Sequence, residues 1–190
     1  MAIEYELKLN AEPQALISVE KDLGGSWRQI EMRTTYYDTP ERTLSARKWT
    51  LRRRLENGLS VCTLKTPADL GRQEFEVNCD TIEMGIEKLC KLGAPQELVL
   101  LTAGGVEPVC GAAFTRLART VDLEGCTVEV ALDKGTLFGG DKTQPLCELE
   151  VELKDGEPNM ARSFAMLLAA KYGLQPEHKS KFKRALALTR

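Results

Sequence analysis

Strict alternation of polar and apolar positions opens the chain. Ile3, Tyr5, Leu7 and Leu9 are apolar, and Glu4, Glu6 and Lys8 stand between them, the period of two that predicts a strand with one charged face. The pattern returns at Arg72-Gln73-Glu74-Phe75-Glu76-Val77 and at Glu148-Leu149-Glu150-Val151-Glu152-Leu153. A merely solvated face does not need three carboxylates in a row. Like charges along one strand face repel unless a cation sits among them.

Between these strands the period changes. Leu16, Ile17, Val19 and Leu23 suit a helix that Asn10 can cap, with Pro13 in its first turn and Gly24-Gly25 as its stop. Ile30 to Tyr36 reads as a strand ended by Pro40, and Glu41 to Lys48 as a short helix or loop. Asp80 with Glu83 forms a capping box for a helix carrying Ile82, Ile86, Leu89 and Cys90, and Gln96 to Ala103 reads as a second short helix. A helix from Pro158 to Tyr172 bears Met160, Phe164, Leu167 and Leu168 as a core stripe, and His178 to Arg184 opens a basic terminal helix on which Lys181 and Arg184, three apart, share a face.

Turn chemistry fixes some of the registers. Asn57-Gly58 between Leu51–Glu56 and Leu59–Lys65 predicts a type I′ hairpin that opposes Arg54 to Val61, Arg52 to Thr63 and Thr50 to Lys65. Arg52, Arg54 and Lys65 then share one face and invite a polyanion. An even-length loop at Gly139-Gly140 puts Glu129 and Asp133 on the face of Glu148, Glu150 and Glu152. Glu124-Gly125 leaves a choice: a two-residue loop brings Arg116 to that face, and a three-residue loop with a bulge brings Arg119.

Composition narrows the class. The 190 residues, 43% hydrophobic, suit one domain. A charged fraction of 28% cancels to a net charge of −2, which argues against nucleic acid or a membrane surface as partner. No apolar run reaches the roughly 20 residues of a membrane span, and the chain enters its first strand without a basic, apolar leader, so a cytoplasmic location is expected. Six scattered cysteines without a CxxC pair, and a single histidine, argue against a zinc site or a disulfide framework, leaving the cysteines as small core residues. Trp27 and Trp49 read as core or surface anchors.

Charged faces of both signs on roughly eight strands are best explained by a sheet closed around them, with helices covering the apolar faces outside. A lumen with acids on one side and Arg and Lys on the other suits a phosphate chain with divalent ions.

The ordered set Glu4-x-Glu6-x-Lys8, Tyr36-Tyr37-Asp38-Thr39, Leu51-Arg52-Arg53-Arg54, Thr63-Leu64-Lys65, Arg72-x-Glu74-x-Glu76, Ala131-Leu132-Asp133-Lys134-Gly135, Glu148-Leu149-Glu150-Val151-Glu152 and Ser180-Lys181 before Arg184 resembles the CYTH domain, or triphosphate tunnel metalloenzyme, family. The resemblance implies an α+β fold, an eight-stranded antiparallel β-barrel tunnel with helices packed outside, as one domain over residues 1–190 without the C-terminal helical domain of some members. It implies a Mg²⁺- or Mn²⁺-dependent hydrolase of small-molecule triphosphates, acting as a monomer or homodimer. By position, Glu4, Glu6, Glu148, Glu150 and Glu152 would hold metal, and Glu4, Glu6 and Lys8 would act in catalysis. Lys8, Arg52, Arg54, Lys65, Arg72, Arg119, Lys181 and Arg184 would grip the substrate; the resemblance favours Arg119 over Arg116. Glu74, Glu76, Glu129 and Asp133 would support them. Inorganic triphosphate is the leading substrate. Thiamine triphosphate, nucleoside triphosphates, a class IV-type adenylate cyclase reaction and noncatalytic polyphosphate binding are the alternatives.

Overall fold

The computed structural model describes residues 5–68 and 72–190. In chain order the elements are β1 (Glu6–Asn10), α1 (Pro13–Leu23), β2 (Arg28–Asp38), α2 (Thr43–Ala46), β3 (Thr50–Glu56), β4 (Leu59–Pro67), β5 (Arg72–Asn78), α3 (Ile82–Lys91), α4 (Glu97–Leu101), β6 (Glu107–Leu123), β7 (Cys126–Gly139), β8 (Lys142–Gly156), α5 (Pro158–Tyr172), β9 (Gln175–Pro176) and α6 (Lys181–Ala187). All strands join one antiparallel sheet in the order β5-β4-β3-β2-β6-β7-β8-β1-β9.

The α+β antiparallel class is the expected one, with a difference in detail. The sheet has nine strands, and among the described residues no ladder joins its edges, β5 and β9. It nevertheless curls, because side chains from β1, β3, β4, β5, β6 and β8 line one cavity.

Alternation decides what each face packs against. On one face, Val128, Val130, Leu132, Leu149 and Val151 pack under α1 and α5 with Leu16, Val19, Ala161, Ala165 and Leu168. Further along the same face, Leu51, Cys62, Leu64 and Phe75 pack under α3 and α4 with Ile86, Leu89 and Leu98. Trp49 belongs to that second cluster and Trp27 packs against the first, in keeping with their reading as anchors. The other face carries the charges, with an apolar floor of Met32, Ala112, Phe114, Leu137 and Leu146 on which Ala185 of α6 packs.

The predicted hairpin is formed with the predicted pairs: Arg54 opposes Val61, Arg52 opposes Thr63 and Thr50 opposes Lys65. Asn57 and Gly58 have φ of 49° and 87°, the left-handed pair that a type I′ turn needs. Helix starts differ slightly from expectation. Asn10 continues β1 and bonds Glu177, so Glu12 precedes α1. Thr81 rather than Asp80 caps α3, accepting from Met84 N. Buried Asp38, in a segment read as a chain break, accepts from the backbone N–H of Thr39, Leu44 and Ser45 at 2.8, 2.9 and 3.0 Å and thereby fastens α2 to the end of β2.

One cysteine expectation is corrected. Cys62 and Cys79 form a disulfide with a Cα–Cα separation of 6.1 Å. Their spacing carries no motif, but β4–β5 pairing sets Cys62 opposite Val77, two residues before Cys79. Gly85 lets α3 lie directly over the bridge, since a Cβ there would meet Cys62 Sγ at 2.5 Å. Cys90, Cys110 and Cys126 are buried free thiols, and burial pushes Cys110 up to about 12. No helix among the described residues is long and apolar enough to cross a membrane.

Candidate active site

The charged face encloses a cavity of about 370 Å³. Its acidic wall comes from β7, β8 and β1. The loop after Gly139 is two residues long, with Gly139 opposite Lys142, so Asp133 faces Glu148 and Glu129 faces Glu152, as an even loop requires. The only register irregularity of this pair, at Thr127/Val128, lies beyond the acids. Asp133, Glu148 and Glu150 are buried, and their oxygens come within 4.8 Å of one another. Glu6 lines the cavity beside them, 3.3 Å from Lys8 Nζ.

Three cations answer this cluster. Lys181 Nζ lies 2.8 Å from Asp133 and 2.7 Å from Glu150, and also bonds Glu148. Arg116 forks onto Asp133 with two 2.7 Å bonds and also reaches Glu150. Arg184 bonds Glu148 and sits 3.7 Å from Glu177. The ring of Phe114 backs two of them, 5.2 Å from Lys181 Nζ and 5.8 Å from the Arg116 guanidinium. Ser180, the N-cap of α6, accepts from Lys183 N and sets the helix so that Lys181 and Arg184 enter together.

Burial acts differently on the neighbouring glutamates. For Glu150, burial pushes the pKa up, but Lys181 and Arg116 more than offset it and hold the carboxyl well below its usual range. For Glu148, burial dominates, Lys181 and Arg184 offset it only in part, the neighbouring Glu150 charge adds to it, and the pKa is raised. The wall therefore keeps one firmly ionised acid beside one that ionises reluctantly.

The basic wall comes from β3, β4 and β5. Lys65 Nζ is 3.0 Å and Arg52 3.4 Å from Glu74, while Arg54 meets Glu56 and lies 3.9 Å from Glu76. Burial, then the adjacent Arg52 charge, lowers the Arg54 pKa. The Nε atoms of Arg52 and Arg54 are buried without a hydrogen-bond partner, so this wall holds donors that the protein leaves unsatisfied. Arg72 lines the same cavity and donates to Thr50 Oγ1 at 3.4 Å.

Most of the residues read from the sequence converge here: Glu6, Lys8, Arg52, Arg54, Lys65, Arg72, Glu150 and Lys181 line the cavity, with Asp133, Glu148 and Arg184 joined to them by ion pairs. Glu4 lies outside the described residues. Glu152 stands apart from the acid cluster, opposite Glu6 in the β1–β8 ladder and bound to Lys154 at 2.8 Å. Asp133, read as a supporting acid, takes its place in the cluster. Glu129 lines a separate cavity with Arg28, 3.5 Å away.

Arg119 is a correction. Leu123 pairs with Cys126, so the Glu124-Gly125 loop has two residues and Arg116 takes the inner face. Arg119 projects from the other side, where it donates to Leu23 O and Gly24 O at the end of α1. Gly25 makes room for it: a Cβ there would meet its guanidinium carbon at 2.8 Å. Tyr36 and Phe114 also line the cavity, and their parity with Arg54 and Arg116 in the β2–β3 and β2–β6 ladders is the signal that could have marked them.

The donor set fits a hard divalent cation. Mg²⁺ and Mn²⁺ take carboxylate oxygens and water, and the three clustered carboxylates already surround a positive charge, the Lys181 ammonium.

The CYTH domain model matches residues 2–186. The chain is 29% identical over 197 residues to the inorganic triphosphatase of Haemophilus influenzae, covering 99% of this chain and 55% of that one; it thus spans about half the length of the curated relative it matches. Among solved structures, Hippeastrum HpAC1, a candidate adenylyl cyclase described as revealing a dominant triphosphatase activity, superposes with a TM-score of 0.71 at 19% identity over 98% of this chain and 96% of that one. PH1819 from Pyrococcus horikoshii OT3 gives 0.64 at 23% identity over 97% and 98%. At these identities the likeness is one of fold. The family match, which runs through every strand and all but the end of α6, means that the chain belongs to the CYTH domain family.

Proposed function

We propose that the protein is a divalent-metal-dependent triphosphatase whose leading substrate is inorganic triphosphate, cleaved to pyrophosphate and phosphate. One observation carries this reading: Glu6 and Glu150, the latter joined to the buried acids Asp133 and Glu148, line the same cavity as a row of Arg and Lys side chains. A site for an anion alone gains nothing from the acids, and a site for a metal alone gains nothing from the unsatisfied guanidinium donors. The Haemophilus influenzae relative, an inorganic triphosphatase, supports the choice of substrate.

Asp133, Glu148 and Glu150, with Glu6 beside them, would hold Mg²⁺ or Mn²⁺, which neutralises phosphate oxygens when bound. Arg52, Arg54 and Lys65 fix the phosphate chain from the opposite wall, and Arg72 holds its outer end. Lys181 and Arg184 bring cations from α6 to the side where charge develops as the terminal bond breaks. Water attacks the terminal phosphorus in line with the bond to the departing pyrophosphate. Glu6, beside Lys8, would take the proton of that water, and Lys8 would steady the resulting charge. Cysteines and His178 have no part in the bond-breaking step.

The test is phosphate release from inorganic triphosphate, ATP and thiamine triphosphate in parallel, with Mg²⁺, Mn²⁺ or chelator, alongside an assay for cyclic AMP. Metal-dependent turnover fastest on inorganic triphosphate is the expected result. Preference for an organic triphosphate would reassign the substrate, and binding without turnover under either metal would make the protein a noncatalytic polyphosphate binder.

A further inference from the structure

α6 brings Lys181 and Arg184 to the acidic wall with little packing of its own. It has seven residues, of which Ala185 is buried on the apolar floor and Phe182 meets the Tyr36 ring at 5.0 Å. The chain leading into it is fastened at one residue, Glu177. The Glu177 backbone N–H donates to Lys8 O at 2.8 Å, which extends the pairing of β9 with Leu9 and Asn10 along β1. Its carboxylate accepts from Asn10 Nδ2 at 3.0 Å through Oε2 and from Lys179 N at 2.7 Å through Oε1. Oε2 also lies 3.7 Å from Arg184 Nη1, an ion pair without a hydrogen bond. Burial pushes the Glu177 pKa up, but the Lys179 N–H, the Asn10 amide and the Arg184 charge more than offset it and hold the carboxyl below its usual value. Glu177 is not among the side chains that line the cavity.

Arg184 is the group on which this arrangement acts. Its side chain is 8% exposed, with Nη2 bonded to Glu148 and Nη1 facing Glu177. A guanidinium is flat and presents its donors in a rigid fork, so carboxylates at two different nitrogens fix its rotation, and a single one leaves it free to swing. Glu177 thus holds Arg184 from one side while its own bonds to Lys8 O and Asn10 hold it to β1, the strand that carries Glu6 and Lys8. We propose that Glu177 is a positioning residue for hydrolysis, acting through Arg184 to set the cations of α6 against β1 in the geometry that turnover needs. The proposal rests on the triphosphatase reading of the cavity. Moving a catalytic group by about 1 Å can cost about 100-fold in rate. The substrate is gripped separately, by Arg52, Arg54 and Lys65 of the opposite wall, so the loss of Glu177 falls on kcat and not on KM.

The experiment measures kcat and KM for tripolyphosphate with Mg²⁺ in the wild type, Glu177→Gln, Asn10→Ala, Arg184→Ala and the Glu177→Gln/Arg184→Ala double variant, each with its urea midpoint. Glu177→Gln keeps the shape of the side chain and an oxygen for Lys179 N, and removes the charge that faces Arg184. Its kcat is expected to fall about 10–30-fold with KM within about two-fold and the urea midpoint close to that of the wild type. Asn10→Ala, which frees the carboxylate from β1, is expected to lose about three-fold in kcat by the same route. Because Glu177 acts through Arg184, the double variant should be no slower than Arg184→Ala within about two-fold. Wild-type kcat in either single variant of the Asn10–Glu177 pair overturns the positioning role alone. So does a loss confined to KM, or a double variant in which the two losses multiply. A wild type that hydrolyses no tripolyphosphate overturns the triphosphatase reading and the role of Glu177 with it.

Discussion

On the wall made by β7, β8 and β1, Asp133 and Glu148 have no solvent exposure, whereas on the wall made by β3, β4 and β5 the side chains of Arg52, Arg54 and Lys65 remain 15, 17 and 16% exposed. Their partners differ as well. The basic wall finds its carboxylates at Glu56, Glu74 and Glu76, within the same hairpins, while the acidic wall depends on Arg116 from β6 and on Lys181 and Arg184, which follow Glu148 by 33 and 36 residues. A fully buried acid stripped of its cation costs several kcal/mol, and a cation that keeps some access to solvent costs less when stripped of its acid, because water can reach it. The acidic wall is thus a tertiary construction in which chemistry and stability are inseparable, and the basic wall is a local one in which binding can change while the fold stays.

The largest effect that would break this contrast is on turnover. Glu150→Gln keeps the shape and removes the ionised acid of the cluster, so phosphate release should fall by roughly 10²–10³-fold, and chelator should reduce the wild type to the same level. Unchanged turnover in Glu150→Gln would remove the acid cluster from the mechanism. Next come Arg52→Ala and Lys65→Ala, each expected to raise KM roughly 10–100-fold, the worth of a charge-assisted hydrogen bond, with little change in the urea midpoint. A collapse in their stability equal to that of acid-wall variants would erase the distinction between the walls.

Arginines three residues apart sharpen it further. Arg116→Ala leaves Asp133 and Glu150 short of a cation and should cost about 3–5 kcal/mol in urea unfolding together with most activity. Arg119→Ala removes bonds to the end of α1, should cost about 1–2 kcal/mol, and should leave phosphate release intact. Smallest is the acid limb of stability, measured in chelator. Glu150, whose folded pKa lies below its ordinary 4.5, contributes stability that is complete above that pH and is lost as pH falls through the folded value. Glu148, whose folded pKa is raised, contributes in the opposite sense, its stabilisation fading as pH rises past 4.5. Thermal midpoints from pH 2 to 7 should therefore fall less steeply on the acid side in Glu150→Gln than in the wild type, and an identical slope would mean that Lys181 and Arg116 do not hold Glu150 ionised.

The two walls also differed in how far they could be read from the chain. Asn57-Gly58 dictates its own φ values and hence the register of every cation on β3 and β4, so that hairpin was legible residue by residue. The shared face of Asp133, Glu148 and Glu150 followed from parity once the Gly139-Gly140 loop was taken as even. Glu124-Gly125 specifies no single loop length, so Arg116 and Arg119 stayed exchangeable until β6 paired with β7, and family likeness leaned to the wrong one. Alternation says which face a side chain takes but not how far along the strands it lies from the site, which is why Glu152 was grouped with acids it does not join. The Cys62–Cys79 bridge depends on the pairing of β4 with β5, which no spacing rule reveals.

The lateness of α6 in the chain has a consequence for how the molecule is made. Lys181 follows Glu150 by 31 residues, which at about 5–20 residues per second is about 2–6 s of synthesis. Of the three cations that bind Asp133, Glu148 and Glu150, only Arg116 comes from the sheet itself. Burying these carboxylates without Lys181 and Arg184 is costly, so the closing of this wall is expected to wait for α6. A chain cut before Ser180 is therefore expected to keep these acids in water, and the docking of α6 to be the step that buries them.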